Sequence, residues 1–117
     1  MINDIIFKII KTLIEQGNYR MLYEDDNNPC AGWKTRDYIR SLNLPEREVV
    51  KRVVDTLTGD KCYSVDIDNN EKFANQKPGN IFKFKTRCFD DVLYVKFKLL
   101  EDPQYFVLIF SIHPTEY

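Results

Sequence analysis

The chain has 117 residues, 44% of them hydrophobic and 30% charged, which suits a single domain, residues 1–117, with one apolar core. Its 17 basic and 18 acidic residues give a net charge of −1, so any nucleic-acid binding must come from a local patch. The 3 cysteines lack the short spacings of a zinc site or disulfide scaffold, and the N-terminal apolar stretch is too short and too charged to span a membrane. We therefore expect a cytoplasmic protein without a metal or other cofactor.

Residues 3–16 predict an amphipathic helix. Apolar residues recur there at helical spacing, Asn3 is a typical N-cap, and Gly17 is a typical residue at a helix C-terminus. A short alternating segment, 19–23, follows it. Residues 24–32 are rich in Asp, Asn, Pro and Gly and predict an exposed loop.

Two more helical segments are predicted before the strands begin. Thr35 is a candidate N-cap for a short helix that ends near Leu42. Pro45 suits the first position of the next helix, which Gly59 would end. The buried stripe of that helix consists mainly of valine, a mediocre helix former, so a strand is the alternative.

From residue 62 onwards the pattern is that of β-strands. The predicted strands are 62–67, 81–89, 92–100 and 105–113, and a polar loop occupies 69–80. Turn residues at Asp90-Asp91 and at 102–104 separate the last three strands, which predicts an antiparallel meander. The final strand is apolar on both sides, which predicts a strand that is central in the sheet or covered on both faces. Helices followed by strands predict an α+β fold, with the N-terminal helices packed on one face of a mostly antiparallel sheet.

One side of the predicted sheet is basic. At period two, this side carries Lys83, Lys85, Arg87, Tyr94, Lys96 and Lys98. Its cations have no facing carboxylate in the same strands, which favours a bound anion, although an ordinary solvated face is the alternative. Tyr94 is placed to stack on a base. The acidic segment 24–26 and the pair Asp66 and Asp68 are expected on another side of the molecule.

The single histidine, His113, lies at the end of the last predicted strand, with the parity of Ser111 and Ile109. A lone histidine is often structural, but imidazole is also a natural proton shuttle for RNA cleavage. Cleavage without a metal needs a base for the 2′-hydroxyl, an acid for the departing 5′-oxygen, and cations for the charge on the phosphorane. Signatures of serine hydrolases, P-loop proteins, dinucleotide-binding proteins and kinases are absent from the sequence.

A set of segments in a fixed order gives a resemblance to a known family. These segments are Lys11–Arg20, Leu57–Tyr63, Asn80–Lys85, Val92–Phe97 and Val107–His113. In their order and spacing, the chain resembles the MqsR-type toxins of bacterial type II toxin–antitoxin systems, which are messenger-RNA interferases of the RelE-like fold. The Tyr-Val-Lys run in the fourth segment and the Phe-Ser-Ile-His run in the fifth are the most telling pieces.

The resemblance implies residue roles and partners. Tyr94 matches a catalytic tyrosine, His113 a position of lysine or histidine, and Lys83 a position where glutamine can occur. Ser64 departs from the pattern, because a lysine is expected there. Together with the basic face of the sheet, this gives a candidate catalytic set of Tyr94, His113, Lys83 and Lys96 and a candidate RNA-binding set of Lys85, Arg87, Lys98, Tyr63 and Lys61. The implied partners are messenger RNA and an antitoxin that covers the basic face, and a homodimer is left open.

A different class of function is also compatible with the sequence. A scaffold of this kind that has Ser64 in place of the expected lysine could be a non-catalytic binding module that inhibits a protein partner. The acidic segments would then matter more for binding than the basic face. A DNA-binding regulator fits less well, because no helix shows the clustered Arg, Asn or Gln of a recognition helix.

Overall fold

In the part of the chain that this computed structural model describes, three helices precede most of a five-stranded sheet, which confirms the predicted α+β class. The structure describes residues 2–22, 29–68, 79–101 and 104–115, and only the backbone at 29–33, 67 and 68. Its elements are α1 (Asp4–Glu15), β1 (Tyr19–Met21), α2 (Pro29–Ser41), α3 (Glu46–Thr56), a 3-10 turn (Gly59–Lys61), β2 (Cys62–Asp68), β3 (Gly79–Cys88), β4 (Asp91–Glu101) and β5 (Tyr105–Pro114). No helix in these ranges is long and apolar enough to cross a membrane.

The sheet has the strand order β1-β5-β4-β3-β2. Strands β3, β4 and β5 form the predicted antiparallel meander, and β2 extends it antiparallel to β3. The short strand β1 lies parallel to β5 on the other side. Strand β5 lies second in this order, with β4 along one edge and β1 paired with residues 107–109 on the other, so it is an interior strand, in line with its apolar character.

Helices α1 and α3 pack on one side of the sheet, which we call the inner face and define by Phe84, Leu93, Val95, Phe97 and Ile112, all 0% exposed. Helix α1 begins as predicted, with Asn3 Oδ1 accepting the backbone N–H of Ile5 at 2.8 Å, and Gly17 follows it at a φ of +81°. The valine stripe of α3 is helical and fully buried, so burial outweighs the low helix propensity of valine.

Helix α2 shows that the loop predicted before it is too long. It begins at Pro29, inside the predicted loop 24–32, and Thr35 lies in its interior and does not cap it. Thr35 is only 1% exposed, and its hydroxyl accepts the backbone N–H of Ile112 at 3.0 Å. Among the described residues β1 pairs with residues 107–109, and α2 supplies the acceptor for the N–H of Ile112 further along β5.

The hairpin between β3 and β4 turns one residue earlier than predicted. Its two central residues are Phe89 and Asp90, both at positive φ (54° and 61°), between the paired residues Cys88 and Asp91. The Tyr38 hydroxyl of α2 donates to Asp91 Oδ2 at 2.8 Å. Helix α2 is therefore hydrogen-bonded both to the edge of β5 and to this turn.

Candidate active site on the outer face

The side of the sheet away from α1 and α3 carries most of the predicted site residues. We call it the outer face and define it by Tyr63, Lys83, Lys85, Arg87, Tyr94, Lys96 and His113. Strand register arranges its residues in two rows: Lys85, Tyr94 and His113 are cross-strand neighbours, and so are Ser64, Lys83, Lys96 and Ser111. Side chains of directly opposed residues lie close enough to interact, so these rows can act on one ligand.

A β-bulge determines which residues of β5 reach the outer face. Lys96 pairs with Ser111 whereas Phe97 pairs with Ile109, so Phe110 is an extra residue in β5. His113 and Ser111 share the outer face as predicted, but Ile109 is on the inner face and is 0% exposed. The predicted grouping of Ile109 with His113 is therefore wrong, because a strict period of two does not anticipate the bulge.

Tyr94 and His113 form the centre of the candidate site. They are direct partners in the β4–β5 register, and their ring centroids are 5.6 Å apart with an interplanar angle of 42°. The imidazole is half-buried and not sealed in the interior. A phenol and an imidazole at this separation fall within the span of one nucleotide.

The environment of His113 fixes its tautomer and favours the neutral form. Nδ1 lies 2.9 Å from the carbonyl oxygen of Pro114, which can only accept, so Nδ1 carries the proton and the lone pair is on Nε2. Burial lowers the pKa of His113, the Pro114 carbonyl acts in the opposite direction, and the Lys34 ammonium on α2 lowers the pKa further. Because the ordinary pKa of histidine is already about 6.5, the imidazole is uncharged at neutral pH.

The sequence does not predict that Lys34 lies near the candidate site. It lies 79 positions before His113, in the segment where the prediction placed a loop followed by a helix cap. Only the contact between α2 and the edge of β5 brings the two together. No periodic pattern in the sequence signals such a contact.

Tyr63 joins the site through another irregularity. The β2–β3 register shifts between Cys62 and Ser64, which makes Tyr63 an extra residue of β2. Its ring centroid lies 5.2 Å from Lys85 Nζ, and the side chain is 42% exposed. Burial raises the pKa of Tyr63, and the neighbouring Tyr94 hydroxyl raises it further, whereas the Lys83 ammonium lowers it.

Lys83 is partly neutralised by a carboxylate that was predicted to lie elsewhere. Its Nζ is 2.9 Å from Asp66 Oδ2, and the Ser64 hydroxyl donates to the same oxygen at 3.1 Å. The hydrogen bond from Lys83 holds the pKa of Asp66 below its ordinary value, and the same bond raises the pKa of Lys83. Asp66 therefore belongs to the outer-face side of the sheet. The side chain of Asp68 and the segment 24–26 lie outside the described residues.

Two predicted RNA-binding lysines are not on the exposed part of the outer face. Lys98 has the predicted parity but is 0% exposed, and its Cε would lie 3.2 Å from a Cβ added at Gly79. Lys61 lies on the inner side, where its Nζ donates to the Thr56 carbonyl at 2.6 Å and to Thr86 Oγ1 at 3.3 Å. The alternation of residues in β4 predicts which side of the sheet Lys98 points to, but it does not predict whether that side chain is covered. Lys61 is turned inward because its ammonium caps the C-terminal end of α3.

Lys85, Arg87 and Lys96 complete the basic part of the outer face. Lys85 and Arg87 are exposed, and Lys96 is half-buried with its Nζ 5.2 Å from the ring centroid of Phe110. Within the described ranges, no group of three or more His, Cys, Asp or Glu side chains is arranged to hold a metal ion.

Comparison of the chain with protein-family models, curated proteins and solved structures finds no match. The MqsR-type resemblance and the RelE-like fold therefore stay predictions, and the proposed function rests on the geometry of the outer face.

Proposed function

We propose that the chain is an endoribonuclease that cleaves RNA without a metal ion, with His113 and Tyr94 as the proton-transfer pair. The observation that supports this most is their direct pairing across β4 and β5, with ring centroids 5.6 Å apart, in the same row as Lys85. A base, an acid and a cation in one row match the parts that the reaction requires.

In the proposed reaction, Nε2 of His113 removes the proton of the 2′-hydroxyl, and the 2′-oxygen attacks the adjacent phosphorus. The bond between phosphorus and the 5′-oxygen breaks, and the Tyr94 hydroxyl gives its proton to that oxygen. The products are a 2′,3′-cyclic phosphate and a 5′-hydroxyl. The proton on His113 then returns to Tyr94 through solvent, so both residues recover their starting forms. The neutral imidazole with its lone pair on Nε2 suits the first step.

The lysines have different parts in this proposal. Lys85 and Lys96 flank Tyr94 and stabilise the charge that grows on the phosphorane, because fixed cations need no reorganisation during the reaction. Lys83 keeps its charge through the pair with Asp66 and contributes to the local field. Arg87 and the exposed ring of Tyr63 contact the flanking nucleotides by charge and by stacking.

Messenger RNA is the proposed substrate, and an antitoxin protein that covers the outer face is the proposed partner. Both follow from the resemblance in the sequence. The exposure of Tyr63, Lys85 and Arg87 supports them, since these side chains are accessible to either partner.

Cleavage of a short single-stranded RNA by the purified protein in EDTA tests the proposal. His113→Ala and Tyr94→Phe should each reduce the rate by about 10²–10⁴-fold, the usual contribution of general acid–base catalysis. Lys51→Met, which removes an exposed lysine from α3 on the other side of the sheet, should cleave like the wild type. An RNA with a single 2′-deoxy residue at the cleavage site should resist. Equal rates for wild type, His113→Ala and Tyr94→Phe would refute the site.

A non-catalytic binding module is the second candidate, and the Lys83–Asp66 pair favours it. This ion pair and the uncharged Ser64 reduce the positive potential beside Tyr94. A binding module should be tolerated when expressed and should leave transcripts intact, whereas a ribonuclease should stop growth and degrade them. The phenotype of His113→Ala separates the two, because only the ribonuclease loses its toxicity.

A further inference from the structure

Two contacts between a cation and an aromatic ring continue the outer face from the candidate site towards β1. Lys96 Nζ lies 5.2 Å from the ring centroid of Phe110, the extra residue of the β5 bulge. Further along β5, the guanidinium carbon of Arg20 lies 4.6 Å from the ring centroid of Phe106. Cations interleaved with aromatic rings on one surface are typical of proteins that bind single-stranded nucleic acid. Arg20 and Phe106 have no part in the cleavage reaction proposed above, so their pair needs another explanation.

Strand parity places Arg20 and Phe106 on the outer face. Strand β1 pairs with β5, and Tyr19 and Met21 pack against the core, so the residue between them points to the opposite side of the sheet. Val107 is 0% exposed and belongs to the core, so its neighbour Phe106 also points outwards. Arg20 is exposed and Phe106 is half-buried. The guanidinium is therefore the accessible part of the pair, and the ring lies beneath it.

The strand register gives the distance between this pair and the candidate catalytic residues. Leu108 is the cross-strand partner of both Arg20 and Lys98. Arg20 therefore lies four residues along the sheet from the row of Tyr94, about 13–14 Å at the usual rise per residue of a strand. Lys96 lies at half this distance. A few nucleotides of extended single strand span the interval, so an RNA bound at Tyr94 can pass Lys96 and reach Arg20.

We propose that Arg20 and Phe106 form a binding subsite for a nucleotide on the 5′ side of the cleaved bond. That the ligand is RNA rests on the proposed ribonuclease function. Arg20 contacts the nucleotide, because a guanidinium can pair with a phosphate through its N–H groups and offers a flat face on which a base stacks. Phe106 is a positioning residue, because its ring holds the guanidinium on the outer face through the cation–π contact.

The 5′ direction follows from the proposed roles of His113 and Tyr94. In an in-line displacement, the attacking and leaving oxygens lie on opposite sides of the phosphorus. The base, His113, is on β5, so the 2′-hydroxyl that it deprotonates lies on the β5 side. The acid, Tyr94, is on β4, so the departing 5′-oxygen lies towards β4 and β3. The nucleotide with the 2′-hydroxyl, and those that precede it, therefore extend over β5 towards β1 and Arg20.

Binding of a strand that cannot be cleaved tests the subsite separately from the reaction. In a short single-stranded 2′-O-methyl RNA every attacking hydroxyl is blocked, and fluorescence anisotropy measures its affinity for the purified protein. Arg20→Met should weaken binding about 5- to 150-fold, the effect of losing one stacked base, and should reduce the slope of log affinity against log salt by about 0.7, the effect of losing one phosphate contact. Phe106→Leu should weaken binding and Phe106→Tyr should not, because tyrosine keeps the ring. Lys51→Met, which removes an exposed cation from α3, should bind like the wild type.

Cleavage of two matched substrates tests the direction. Each is a DNA strand with a single ribonucleotide, so that the cleaved bond is known, and both have the same 3′ side. One begins at the ribonucleotide, and the other carries several nucleotides before it. Arg20→Met should lower kcat/KM for the extended substrate about 5- to 150-fold and leave it unchanged for the short one. A general loss of folded protein would lower both values equally.

Equal affinity of wild type, Arg20→Met and Phe106→Leu for the uncleavable strand overturns the inference, whether or not the protein cleaves RNA. A loss of kcat/KM in Arg20→Met that is the same for both substrates, or that depends on added 3′ nucleotides, also overturns it. A protein that binds the strand through Arg20 but cleaves no RNA would refute the proposed function. The pair of Arg20 and Phe106 would then remain a nucleic-acid subsite, without the 5′ assignment.

Discussion

Replacement of Thr35 by valine should destabilise the protein through one hydrogen bond. Valine has nearly the same shape as threonine, so the 1%-exposed site stays filled, but the N–H of Ile112 loses its acceptor. Leaving a buried donor unsatisfied costs about 1–3 kcal/mol. For a chain of this length, each kcal/mol lowers Tm by roughly 4 °C, so the expected decrease in Tm is about 4–12 °C.

Urea unfolding followed by circular dichroism measures this change as a shift in the midpoint at constant m-value. Thr35→Ser is the matched comparison, because it keeps the hydroxyl and removes a methyl group, which costs about 1 kcal/mol. Thr12→Val, on the exposed side of α1, is the control for the Thr→Val exchange and should change stability little. If Thr35→Ser is less stable than Thr35→Val, packing and not the hydrogen bond accounts for the contribution of Thr35 to stability.

Three other predictions concern the hairpin and the outer face. Asp90→Gly should stabilise the protein by about 1 kcal/mol, because Asp90 occupies a left-handed conformation at φ 61° that glycine adopts without strain; an unchanged urea midpoint would contradict this. Tyr38→Phe should destabilise it by about 1–2 kcal/mol in the same assay, because the Asp91 carboxylate loses its donor, and Asp91→Asn should recover part of the loss. The stability that Asp66 contributes should be present above its unfolded pKa and lost as pH falls through its lower folded pKa, because Lys83 favours the ionised form. Thermal unfolding of wild type and Asp66→Asn should therefore differ most at neutral pH and converge in acid, and a constant difference would contradict the assignment.

Much of the fold follows from periodicity in the sequence. The period of α1, its Asn3 cap and the left-handed residue Gly17 are local features, and each is as predicted. The alternation in β3 and β4 likewise predicts the side of the sheet that carries Lys85 and Tyr94, because side-chain direction depends only on the parity within a strand.

Several features that the sequence does not predict depend on contacts that local preference does not describe. Thr35 is a good helix cap by composition, but its partner is 77 residues away. Lys98 has the right parity and is still buried, because parity does not describe what lies above a strand. Lys61 turns inward because the α3 C-terminus offers a carbonyl there. In each case a tertiary partner outweighs a correct local preference.

The bulge at Phe110 connects the core to the candidate chemistry. Val107, Ile109 and Ile112 are all 0% exposed and face the helices, although the first two differ in parity from the third. In a strand with a strict period of two, burying Val107 and Ile109 would also turn His113 into the core. The extra residue resets the alternation, so β5 buries its apolar residues on both sides of the bulge and still presents His113 beside Tyr94. A regular strand with another sequence could fill the core equally well. With the present sequence, only the bulged strand both fills the core and places the His113 imidazole beside the Tyr94 phenol.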